Sequence, residues 1–330
     1  MCVVGAGAIG GFLGARLAAA GGTNVSAIAR GPTLAALREH GWRLEQAGKL
    51  ISVPANATDN ARMLGRQDLV VVAVKGQALP TVAPAVAAML GPETIVLPAM
   101  NGVPWWFCQG VPTIGDIPLD SVDPLGTIAA SIPLRQVLGC VVHASTTSSE
   151  PGLVHHARGQ GLIVGEPMGG KSERAAHVAA ILSNAGFDVT VSADIRHDIW
   201  YKLWGNLTMN PVSALTGATS DRVLDDPLVK EFCMAAMREA AAIGERIGCP
   251  IAETPQDRHA VTRKLGAFKT SMLQDVEAGR TLELDGIVAA VAEIGRRLAV
   301  PTPNIDALLG LTRLFARVKG LYPDAPSARM

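Results

Sequence analysis

With 48% hydrophobic and 18% charged residues, a chain of 330 residues has material for the cores of two domains. Its 29 Lys and Arg balance 29 Asp and Glu, and the absence of a basic patch argues against a nucleic-acid partner. No apolar run reaches the length of a membrane span, and the five scattered cysteines (Cys2, Cys108, Cys140, Cys233, Cys249) contain no C-x-x-C pair, against a disulfide framework or a metal site. Met1 leads straight into an apolar strand with no charged n-region, so a cytoplasmic protein is expected.

In chain order, "CVVG" reads as a strand and "AIGGFLGARLAAAGG" as a helix stopped by Gly21 and Gly22. "NVSAIAR" is a second strand, and "PTLAALREHG" a helix with Pro32 near its start and Gly41 past its end. "KLISVPA" is a strand, and "DLVVVAVKG" an uninterrupted apolar strand of the kind covered on both faces. "LPTVAPAVAAMLG" is helical and "TIVLPAMNG" another buried strand. Such alternation predicts a parallel, doubly wound α/β sheet. Between residues 104 and 133, prolines blur the pattern into a long loop carrying Trp105, Trp106 and Phe107, which either cap a site or pack beneath the loop. "QVLGCVVHAST", "GLVHHA" and "GLIVGEP" read as short strands, with His155 and His156 in a polar turn before the last. "KSERAAHVAAILSNAG" follows as a helix and "FDVTVSAD" as a closing strand. Beyond residue 193 only helical patterns remain, over 195–215, 226–248, 254–278, 281–298 and 304–319. The expected domains are 1–193 and 194–330.

"GAGAIG" places Gly5, Gly7 and Gly10 in a G-x-G-x-x-G pattern, with Ala8 and Ile9 between. The pattern alone is weak, but here it follows the first strand and opens the first helix. The first glycine permits a tight turn, the second a close approach of pyrophosphate, the third close packing of helix on strand. The second strand ends in Arg30, where NAD-binding folds keep an acid for the ribose 2′-hydroxyl. A guanidinium fork suits a 2′-phosphate, so NADP is expected. Lys75 and Asn101 each follow an apolar strand, at the carboxyl ends where open α/β sheets bind ligands.

In "WYKLWGNLTMNP", Lys202, Asn206 and Asn210 recur every four residues among Leu203, Trp204 and Leu207. Each step turns about 40° beyond a full circle, so the three polar groups form one slanted stripe on a helix with an otherwise apolar face. Polar groups against a core are costly unless bonded, which makes the stripe a candidate site. "TSMLQDVEAGRTLELDGI" is the second unusual stretch, with Ser271 and Asp275 four apart and Glu283 and Asp285 after a break at Gly279. Taken alone, Ser271 reads as well as a capping serine, and Glu283 as an acid at a helix N-terminus.

Together "GAGAIGG", "VKGQAL", "NGV", "KLWGNLTMNPVSALTG" and "SMLQDVEAGRTLELDGI" make the chain resemble the ketopantoate reductase (2-dehydropantoate 2-reductase) family over nearly its whole length. The resemblance implies an N-terminal Rossmann-type domain, an all-helical C-terminal domain and an active site in the interdomain cleft. It implies NADPH-dependent reduction of ketopantoate to pantoate, in pantothenate and coenzyme A synthesis. Lys202 would be the catalytic acid, and Asn206, Asn210 and Ser271 would hold substrate. Glu283 would complete the catalytic cluster, Arg30 and Lys75 would face the 2′-phosphate, and Asn101 would sit near the nicotinamide. The expected partner is a small 2-keto acid, with a homodimer left open. Two alternatives stand beside this reading: the same chemistry on another small 2-keto or 2-hydroxy acid, and a catalytically silent NADP-binding sensor.

Overall fold

In the computed structural model, residues 1–324 are described. The chain runs β1 (Cys2–Val4), α1 (Ala8–Ala20), β2 (Ser26–Ile28), α2 (Gly31–His40), β3 (Trp42–Gln46), β4 (Lys49–Val53), β5 (Asn56–Thr58), β6 (Leu69–Val72), α3 (Leu79–Ala87), β7 (Ile95–Pro98), α4 (Thr127–Ser131), β8 (Gly139–Glu150), β9 (Leu153–Gly165), α5 (Glu173–Asn184) and β10 (Asp188–Ser192). Helices follow: α6 (Ile195–Thr216), α7 (Ser220–Asp225), α8 (Pro227–Arg246), α9 (Pro255–Arg263), α10 (Ser271–Glu277), α11 (Ala290–Arg297) and α12 (Pro303–Val318). Two compact units result, one from Met1–Gln109 with Asp123–Ile199, the other from Gly110–Val122 with Trp200 onward.

The first unit holds a five-stranded parallel sheet in the order β5-β2-β1-β6-β7. Its strands β1 and β6 are apolar throughout because both faces are covered; Val70, Val71 and Val72 are fully buried. The expected single parallel sheet is joined by a second, mixed one. There β9 pairs antiparallel with β8, and parallel with β3 and β10, while β3 and β4 form a hairpin. "GLVHHA" and "GLIVGEP" are thus one strand, β9. His155 and His156 lie inside it rather than in a turn. His155 Nδ1 meets Glu45 at 2.9 Å and its Nε2 meets Ser149 at 2.5 Å, and the His156 ring stacks on Phe12 at 4.7 Å. Helix α1 packs against both sheets. It comes close because Gly14 lacks a side chain: a Cβ there would lie 2.4 Å from the Trp42 ring. One core of buried residues, among them Phe12, Leu44, Val71, Leu97, Val164 and Phe187, supports this unit.

The second unit is built on α6 and α8. Trp204 of α6 is buried and donates its indole N–H to the Met237 carbonyl of α8 at 2.7 Å. Met209 and Val212 of α6 pack with Leu224, Cys233 and Leu308. The expected helix over 254–278 is two, α9 and α10. Gly266 takes φ +65° past the end of α9, and Thr270 starts α10 as its N-cap, accepting from Leu273 N–H. Residues 285–289, within an expected helix, form a single π-helical turn leading into α11. The proline-rich stretch divides between the units. Trp105, Trp106 and Phe107 are buried in the first unit, 2% exposed or less, so these aromatics pack beneath the loop. Gly110–Val122 is fastened to α11 of the second: the Glu293 carboxylate accepts from the N–H groups of Asp120 and Ser121 at 3.0 and 2.9 Å and from Arg297 at 2.6 Å. Arg297 also donates to the carbonyls of Ile117 and Pro118.

Candidate functional site

The glycine loop is held by its own backbone. Gly5 has φ +90°, and a Cβ there would lie 2.6 Å from Val74 Cγ1, so neither conformation nor space admits a side chain. At Gly10 a Cβ would meet the Gly5 carbonyl oxygen at 1.8 Å, so the third glycine lets the helix start directly on the turn. Gly7 is the N-cap of α1 and is exposed, with nothing within 4 Å of where its Cβ would be. The first turn of α1 contains no acidic side chain, and no side chain caps it. The N–H groups of Ala8, Ile9 and Gly10 belong to that turn, which has no acceptors within the helix. Backbone donors, positive dipole and open space together fit a pyrophosphate.

Arg30 is exposed and extended at φ −136°, two residues past β2, and its side chain does not cap α2. Lys75 and Asn101 are half-buried, each three residues past its strand, β6 and β7. Because β2, β1, β6 and β7 are parallel neighbours, Arg30, the glycine loop, Lys75 and Asn101 all follow the same edge of the sheet. After β1 the chain adds β2 and β5 on one side, then β6 and β7 on the other. The loop therefore sits at the topological switch point, where such sheets bind ligands.

In the second unit the polar stripe lies along α6. Lys202 and Asn206 are half-buried and Asn210 is 4% exposed, while Leu203, Trp204 and Leu207 are buried. Asn210 Nδ2 is buried and has no hydrogen-bond partner among the described residues. An amide left in that state costs about 1–3 kcal/mol. Three residues on, the buried Ser213 hydroxyl accepts from Thr270 at 3.1 Å. That bond ties the start of α10, and with it the exposed Ser271, to α6. Thr270, not Ser271, is the cap, so the Ser271 hydroxyl is not consumed in capping. Sequence reading missed Thr270 because the adjacent Thr270 and Ser271 both have hydroxyls that could cap. Asp275 is buried and paired with Arg280 at 2.8 Å. Glu283 is half-buried in an irregular stretch between the buried Leu282 and Leu284, before the π-helical turn. Sequence reading also missed the contact between the Tyr322 hydroxyl and the Asp285 carboxylate. Burial pushes the Asp285 carboxyl up, against the Tyr322 hydrogen bond and the charge of Arg313.

A glycine loop at the switch point of a parallel sheet, followed by a helical unit bearing a lysine, two amides, a serine and a carboxylate, defines a class: oxidoreductases that use a pyridine nucleotide. Two family models together match most of the chain. "Ketopantoate reductase PanE/ApbA" matches residues 1–169 and "Ketopantoate reductase PanE/ApbA C terminal" residues 194–316. The chain belongs to the ketopantoate reductase family. It is 43% identical over 322 residues to a 2-dehydropantoate 2-reductase of Mesorhizobium japonicum, covering 97% of this chain and 98% of the relative. It superposes with TM-score 0.94 and 55% identity on the crystal structure of a putative ketopantoate reductase from Ralstonia solanacearum MolK2, covering 97% and 98%. D-mandelate dehydrogenase, in a ternary structure with NADH and anilino(oxo)acetate, shares the fold at TM-score 0.84 and 19% identity, covering 97% and 100%.

Proposed function

We propose that the protein reduces 2-dehydropantoate to pantoate with NADPH, and that residues 1–193 bind the cofactor while residues 194–330 carry the substrate chemistry. The observation that carries this reading is the stripe on α6, where a half-buried lysine shares one line with a buried amide nitrogen that has no partner among the described residues. Thr208 Oγ1 on the same helix is likewise without a partner among the described residues, so it is the alignment of Asn210 with Lys202 and Asn206 that marks the stripe. A substrate carboxylate or hydroxyl would offset the cost of burying that amide.

A nicotinamide cofactor held at the glycine loop would supply hydride to the carbonyl carbon. The protein must then manage the charge that grows on the ketone oxygen. The Lys202 ammonium stabilises it and donates the proton that makes the alcohol. Asn206, Asn210 and Ser271 hold the substrate's carboxylate and hydroxyl by neutral hydrogen bonds, which leaves Lys202 as the cation beside the oxygen. Glu283 completes the cluster as an acceptor for the substrate hydroxyl. Gly5, Gly7, Ala8, Ile9 and Gly10 would cradle the pyrophosphate, Arg30 and Lys75 would hold the 2′-phosphate, and Asn101 would serve the nicotinamide end. A silent sensor would have no use for a proton donor.

Lys202→Ala tests the assignment. A positioned general acid contributes about 10²- to 10⁴-fold, so kcat should fall at least about a hundredfold. NADPH affinity should survive, because its proposed ligands lie in the first unit. A folded variant that keeps more than about a tenth of kcat removes lysine from the mechanism.

A further inference from the structure

Glu283 sits in irregular backbone. Residues 281–283 belong to no helix or strand, and Gly279 at φ +63° breaks the chain before them. The π-helical turn that follows is a strained way to resume a helix and commonly marks function. Two bonds from the last described stretch bracket Glu283. On one side Leu282 N–H donates to the Leu321 carbonyl at 2.9 Å. On the other the Tyr322 hydroxyl donates to the Asp285 carboxylate.

Both brackets are anchored. Leu282, Leu284 and Leu321 are 1%, 0% and 5% exposed. Leu321 N–H donates to the Ala316 carbonyl of α12 at 2.7 Å. The Arg317 guanidinium lies 5.8 Å from the Tyr322 ring centre, and its Nε donates to the Pro323 carbonyl at 3.0 Å. The charged groups facing the Asp285–Tyr322 pair are thus Arg313 and Arg317 of α12. We propose that Tyr322 is a positioning residue for the reduction: its hydroxyl, on Asp285, holds the π-helical turn and so sets the carboxylate of Glu283. The proposal rests on the role given to Glu283 above.

The test is a double-mutant cycle on the full chain, read by NADPH oxidation with ketopantoate. Tyr322→Phe removes one hydroxyl and should lower kcat about tenfold, with KM and NADPH affinity nearly unchanged. Glu283→Gln should also lower kcat. In the Glu283→Gln background Tyr322→Phe should cost less than about twofold more, because coupled residues are not additive. Asp285→Asn keeps an acceptor for the hydroxyl and should hold kcat within about threefold of wild type. If Glu283→Gln leaves kcat intact, the role of Glu283 fails and the proposal with it. If Glu283→Gln is impaired but Tyr322→Phe is silent, or costs the same factor in both backgrounds, the positioning proposal alone is overturned. A loss in Asp285→Asn equal to that in Tyr322→Phe overturns it as well, since the tie would then not be the hydroxyl's hydrogen bond.

Discussion

Arg30 is a single exposed side chain two residues past β2, and in the proposed reading it is the residue that selects between two cofactors. An acid at that place would accept from a ribose hydroxyl and repel a phosphate; a guanidinium does the reverse. Arg30→Ala should weaken NADPH binding by about 1.5–3 kcal/mol, the worth of a hydrogen bond to a charged group, and leave NADH binding unchanged. Titration of both cofactors checks this, and an equal loss for both would show that Arg30 does not read the 2′-phosphate. Single residues were legible from sequence where physics makes them expensive. Lys202, Asn206 and Asn210 stood out because polar groups on an apolar helix need a reason. The partnerless amide of Asn210 was not legible, since bonding depends on neighbours distant in the chain. Nor was the division of labour between Thr270 and Ser271: Ser-x-x-Gln imitates a capping box, and only the position of the helix start shows which hydroxyl caps.

At the scale of elements, Glu293 of α11 is the joint that fastens Gly110–Val122. Burial pushes its carboxyl up, but hydrogen bonds from Ser121, Asp120 and Arg297 outweigh burial and hold it below the usual carboxylate range. A depressed folded value means stability that is present above the ordinary value near 4.5 and is lost as pH falls through the folded one. Glu293→Gln should therefore destabilise the protein at neutral pH by about 1.5–3 kcal/mol. The gap between wild type and variant in a denaturant or thermal melt should close below pH 4.5. A gap independent of pH would contradict the ionic joint.

Elements read well where pattern and environment agree. "LVVVAV" and "TIVLP" could only be covered strands, and they are β6 and β7. The β3–β4 hairpin went unread at its first strand because its two-residue turn is Ala47-Gly48, with φ +50° and +73°. Such turns favour Asn or Gly at the first place, and alanine gave no signal. The helix expected over 254–278 continued in pattern through Gly266, but a positive φ there ends it. Trp105, Trp106 and Phe107 could not be placed from a proline-rich segment, because burial is a property of the whole fold.

For the whole molecule, the first unit supplies a nucleotide-binding sheet and the second a polar line on a helix. Membership of the ketopantoate reductase family assigns the reaction class more firmly than the substrate, since folds and sites are reused with altered pockets. The central claim is thus about substrate, and NADPH oxidation over a panel of 2-keto acids tests it most directly. The panel should include ketopantoate and branched and aromatic 2-keto acids. Ketopantoate should give the highest kcat/KM, by at least about tenfold, or roughly 1.4 kcal/mol of transition-state binding. A tenfold preference for any other 2-keto acid, on the order of the same 1.4 kcal/mol, or no turnover of ketopantoate at all, would contradict it.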